Sequence, residues 1–124
     1  MSEMRELRRG DIVLTRFPYI TDPERSKERP AVVIQNDVGN RFSQNLIVAA
    51  ISSRMPGRDY PIHFRVPTDS PQWKGTGLQR DSVVKTEVIL TIPKKSVTQV
   101  IGRFGEAAMH SIDECLLISL GLGQ

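Results

Sequence analysis

A chain of 124 residues, 39% hydrophobic and 25% charged, has room for one domain with a modest core and is neither fibrous nor disordered in composition. Lys+Arg 17 against Asp+Glu 14 leaves a formal charge of +3, which is compatible with a polyanionic partner without demanding one. The single cysteine, Cys115, excludes an internal disulfide framework and any multi-cysteine metal site. The basic N-terminus lacks the apolar run of a secretory signal, and no window approaches the roughly eighteen apolar residues of a membrane span, so a cytoplasmic, membrane-free setting is expected.

In chain order, "IVLTRF" predicts a first strand from about Ile12 to Phe17. Pro18–Glu28, polar and charged with two prolines, predicts a long surface loop. Ala31–Gln35 and Leu46–Ser52 are apolar runs separated by an insert rich in Asn with Gly39, and read as two strands joined by a turn. "YPIHFRV" alternates apolar and polar residues as a half-buried strand does, and "PTDSPQWKGTG" reads as an irregular loop. "DSVVK" and "VILTIP" predict two further short strands, broken near Lys85–Glu87. The period then changes: Ala108, Met109, Ile112, Cys115, Leu116 and Leu120 recur at helical spacing, predicting an amphipathic helix from Glu106 to Leu120 that Gly121 and Gly123 stop. The expected class is α+β: a small, strongly bent antiparallel sheet or partial barrel with a C-terminal helix on it. Cys115 falls on the apolar face of that helix, where a buried structural thiol is expected.

Familiar hydrolytic machinery is scarce. His63 and His110 lack companions at ligand spacing and read as packed or surface residues, and no HExxH, CxxC, phosphate-binding glycine loop or GxSxG occurs. One reaction needs neither a metal nor a protein nucleophile, because RNA carries its own 2′-hydroxyl beside each phosphate. A protein then has to align the groups and stabilise the charge that grows on phosphorus. Arg29, set by Pro30 at the mouth of a strand, suits phosphate through its planar guanidinium, and Ser52 ends the neighbouring strand with a hydroxyl. An arginine before a strand is commonly just solvated, so residue types alone leave both readings open.

The blocks "RRGDIVLTRF", "RPAVVIQNDVGNRFSQNLIVAAISS" and "LQRDSVVKTEVILTIPKKSV", in that order over most of the chain, resemble the MazF/PemK family of bacterial toxins. The resemblance implies an SH3-like, CcdB/MazF-type sheet with a C-terminal helix, forming a homodimer. It also implies a metal-independent, cofactor-free, ribosome-independent endoribonuclease that cuts single-stranded mRNA to 2′,3′-cyclic phosphate and 5′-hydroxyl ends. The family's catalytic arginine, just before the strand-opening proline, falls on Arg29. Its catalytic threonine falls on Ser52, which keeps the hydroxyl and loses the methyl. Asn36, Asn40, Arg80, Ser82 and Glu87 are expected in the RNA groove, the alternative for Asn36 and Asn40 being that they simply build the turn. A cognate acidic antitoxin that covers the groove is the implied protein partner. Two other readings of the same fold compete: a CcdB-like gyrase poison and a non-catalytic RNA- or protein-binding module.

Overall fold

The computed structural model describes residues 6–16 and 28–122. Its frame is one antiparallel sheet of six strands, β1 (Asp11–Thr15), β2 (Arg29–Val33), β3 (Asn45–Ser52), β4 (His63–Val66), β5 (Ser82–Pro93) and β6 (Val97–Arg103), in the spatial order β4-β5-β3-β2-β1-β6. The short helix α1 (Asp37–Phe42) joins β2 to β3, and α2 (Glu106–Ser119) follows β6. The sheet stays open, as a bent sheet with β4 and β6 at its edges and not a closed barrel.

The central strands are apolar throughout because both of their faces are covered, and side-chain alternation sends successive residues to opposite sides. One face carries Ile12, Val32, Ala49, Ile51, Val66 and Val84, over which α2 lays Ala108, Ile112 and Leu116 together with Phe104. The other face gathers Leu7, Val13, Ala31, Val33, Leu46, Val48, Ala50 and Ile92. Helix α2 buries Ala108, Ile112, Cys115 and Leu116 in one stripe, as the spacing predicts. It ends where Gly121 takes a φ of 73°, with the Gly121 N–H donating to Ile118 and the Leu122 N–H to Leu117, the paired bonds that close a helix on a glycine.

Several expectations change. The predicted break near Lys85–Glu87 is not a break between two strands: β5 runs unbroken for 12 residues and bulges there. The predicted turn after β2 is the helix α1, capped by Asn36, whose side chain accepts the Gly39 N–H at 2.8 Å. Strand β6 was not anticipated, and the strand expected from Tyr60 starts only at His63. The loop predicted at Pro18–Glu28 lies outside the described residues except for Glu28.

The segment between β4 and β5 contains one 3-10 turn, Pro71–Trp73, and then runs against the β6 edge. Gly75 O accepts the Arg103 N–H at 2.9 Å. The approach is so close that a β-carbon on Gly102 would stand 2.3 Å from Gly75 O, and one on Gly77 (φ +75°) 2.2 Å from Ile101 O. No side chain fits at Gly77 or Gly102.

Candidate functional site

The antiparallel register pairs Ala31 with Ala50. Extending it two residues outward sets Arg29 across from Ser52, on the same face of the sheet. On the far side of β3, Ser52 pairs with Val83 and Ala50 with Lys85. Arg29, Ser52 and Lys85 therefore share one end and one face of three adjacent strands. There they line a groove of about 1040 Å³, whose wall also includes Arg54, Gln79, Arg80, Ser82 and Gln99. Four cations, Arg29, Arg54, Arg80 and Lys85, meet one carboxylate, Glu28, among the described lining residues. Such a wall attracts a phosphate chain.

Each part is fixed locally. Arg29 is held in the ladder opposite Thr15 while its side chain is exposed. Ser52 Oγ accepts the Arg54 N–H at 3.0 Å, which occupies a lone pair, and among the described residues its hydroxyl proton has no acceptor and can point into the groove. The loop after Ser52 is pinned by Arg65, whose Nη2 donates to the carbonyls of Pro56 and Arg58, both at 2.9 Å. Arg80 and Ser82 are set by a bond from Ser82 Oγ to Arg80 O (2.9 Å) and by Asp81, which accepts the Thr68 N–H at 2.8 Å.

The remaining predicted residues stand elsewhere. Asn36 and Asn40 sit beyond the other end of β2, at least four strand steps from Arg29, or about 13 Å. Asn40 is buried; its Nδ2 donates to Gln35 O (2.8 Å) and Asp37 Oδ1 (3.0 Å), and its Oδ1 accepts from Gln35 (3.0 Å). Both asparagines shape α1. Glu87 lies outside the groove lining and meets His63 Nε2 at 3.0 and 3.1 Å. Burial opposes its ionisation, but the hydrogen bond to His63, the Glu87 backbone N–H and the charges of His63 and Lys85 outweigh this and hold its pKa below the usual value. His63 is packed, with a side chain 7% exposed, and His110 is on the surface at 77%. Burial raises the pKa of the Cys115 thiol, the state of an inert core cysteine. Sequence reasoning missed Arg54, Lys85 and the two glutamines, which reach the groove only through strand pairing and loop packing, and it missed Arg65, which braces the loop behind Arg54.

Among the described residues no three His, Cys, Asp or Glu side chains are grouped to hold a metal ion, and no helix is long and apolar enough to cross a membrane.

Comparison with known proteins matches residues 8–120 to the family described as the PemK-like, MazF-like toxin of type II toxin-antitoxin systems. The chain is 38% identical over 116 residues to Endoribonuclease EndoA of Bacillus subtilis (strain 168), covering 94% of this chain and 96% of that protein. Among solved structures it resembles a mycobacterial endoribonuclease in complex with its cognate antitoxin, with a TM-score of 0.73 at 19% identity over 95% of this chain and 98% of the other. It also resembles MazF from Deinococcus radiodurans, with a TM-score of 0.71 at 18% identity over 94% and 98% of the two chains. At these identities the structural likeness speaks for the fold.

Proposed function

The chain belongs to the PemK-like, MazF-like toxin family of type II toxin–antitoxin systems, and we propose that it is a metal-independent endoribonuclease that cuts single-stranded RNA in the groove between Arg29 and Ser52. The observation that carries this reading is the juxtaposition of an exposed guanidinium and a hydroxyl in a cation-lined groove.

The groove supports the following chemistry. RNA lies along it with phosphates toward Arg29, Arg54 and Arg80. The 2′-oxygen attacks the adjacent phosphorus, the bond to the 5′-oxygen breaks, and the 2′-hydroxyl loses a proton while the departing oxygen gains one. A 2′,3′-cyclic phosphate and a 5′-hydroxyl result. Arg29 donates a bidentate pair of N–H bonds to the non-bridging oxygens as their charge grows, and Ser52 donates its free proton to the same centre. Arginine stays protonated at working pH, so its role is electrostatic rather than that of a base. Arg80 holds the RNA strand at the groove wall, its carbonyl braced by the buried Ser82 hydroxyl.

In this reading residues 1–124 form one toxin domain that works in the cytoplasm, where its RNA is, as a homodimer. A cognate antitoxin silences it by laying an acidic, locally disordered segment over the cations, in competition with RNA. The test is to incubate the purified protein with a long RNA in EDTA and to map the ends produced. Cleavage to cyclic-phosphate and 5′-hydroxyl ends supports the assignment. Intact RNA in both EDTA and magnesium would overturn it and leave a gyrase-directed or purely binding function.

A further inference from the structure

The bulge in β5 has a consequence for the groove. Lys85 pairs with Ala50 and Ile89 with Ala49, so Thr86, Glu87 and Val88 are inserted opposite a single step of β3. Bulges re-aim side chains and cost ladder bonds, and a three-residue insertion needs support. This one is held from three sides. Thr86 is fully buried, donating its backbone N–H (3.2 Å) and Oγ1 (2.6 Å) to Ile62 O. Ser119 Oγ of α2 donates to Thr86 O at 2.9 Å. Glu87 turns to the edge strand and places both carboxylate oxygens on His63, the residue that pairs with Lys85 across β4.

The outcome of this clamp is the position of Lys85. Its Cα is directly across from Ala50 and diagonal to Ser52, about 7–8 Å away, on the Ser52 face. That is within reach of the lysine stem. We propose that Lys85 is a further phosphate-binding cation, acting on the same RNA backbone as Arg29 from the opposite side of Ser52, with Glu87 and His63 as the pair that positions it. The inference rests on the nuclease reading for its catalytic part. Glu87 thereby enters the site as a positioning residue, not as a contact to RNA.

The experiment compares wild type with Lys85→Gln, Lys85→Arg, Glu87→Gln and the Lys85→Gln/Glu87→Gln double variant, each checked for folding by circular dichroism. Cleavage is followed on a long single-stranded transcript. Binding is followed against salt with a random-sequence 2′-O-methyl RNA, which lacks the nucleophile and cannot be cut. Lys85→Gln should lower kcat/KM about tenfold or more, as loss of a charged hydrogen bond does. It should also flatten the log–log salt dependence of binding by about 0.7. Lys85→Arg should recover most of both. Glu87→Gln should lower kcat while leaving the salt slope at the wild-type value, and should add nothing in the Lys85→Gln background. Wild-type slope and cleavage in Lys85→Gln would overturn the role of Lys85. Equal losses from Glu87→Gln in both backgrounds would overturn the positioning. If wild type itself cuts no RNA, the nuclease reading falls, and the salt slope still decides whether Lys85 holds phosphate.

Discussion

Replacing Arg29 by alanine separates the chemistry from the fold. The side chain is exposed at the first residue of β2, and the ladder contact opposite Thr15 is made by the backbone, which alanine keeps. Stability should move by no more than about 0.5 kcal/mol, the range for surface positions. Against a total of ~5–15 kcal/mol this leaves the folded population unchanged. The rate should respond very differently. Removing one preorganised donor from a site of developing charge costs about 2.7–4 kcal/mol, or roughly 10²–10³ in kcat. The assay is single-turnover cleavage of a labelled RNA, with urea unfolding of the same preparations. Arg29→Lys is the sharper companion: it keeps the charge and loses the planar fork, so it should fall well short of wild type. Arg29→Ala activity within threefold of wild type, at unchanged stability, would remove Arg29 from the mechanism.

Ser52→Ala should slow cleavage while Ser52→Thr preserves it, because the hydroxyl proton is the active feature; a threonine variant as slow as alanine in the same assay would contradict the role. Gly102→Ala should destabilise by about 1–3 kcal/mol in urea unfolding, since the added carbon meets main-chain oxygens at 2.3 and 2.5 Å and neither belongs to a side chain that can move aside; unchanged stability would mean the seam is loose. Asp37 is held below its ordinary pKa of 3.8, first by the Arg9 N–H at 2.7 Å and then by Asn40. Its ionised form therefore stabilises the fold above that pH, and the contribution fades as pH falls through the lowered value. Asp37→Asn should be less stable than wild type at neutral pH, and the gap should close on acidification below about pH 3.8; a pH-independent gap would contradict the linkage.

Strands β2 and β3 were legible because burial on both faces demands continuous apolar runs. Helix α2 was legible because four buried residues repeat on one stripe. Helix α1 was not, since its six residues are too few to establish a period and Gly39 with two asparagines imitates a turn; the cap at Asn36 and the acid at Asp37 were the signals available. Strand β6 was hidden by two register irregularities against β1, which break the two-residue alternation that marks a strand. The polar residues at Lys85–Glu87 did announce a disturbance, but a bulge and a chain break write the same pattern. For the site, Arg29 and Ser52 could be named from their places at strand ends, and the register does bring both to one groove. Lys85 and Gln99 could not, because a groove wall is assembled from residues whose proximity exists only after strands pair.

The seam of Gly75, Gly77 and Gly102 separates two properties of the groove that evolve differently. Main chain meets main chain there, so the span between the Leu78–Arg80 wall and the β6 edge is a fixed caliper that no ordinary substitution along the seam can widen by small steps. Gln79 and Gln99 are mounted on either jaw of that caliper, both exposed and both carrying amides that can read base edges. With RNA in the groove as proposed, changes at these two positions should alter what it recognises while its gauge stays constant. On that reading a lineage would acquire a new RNA preference by exchanging two surface side chains, without reopening the packing that keeps the toxin folded.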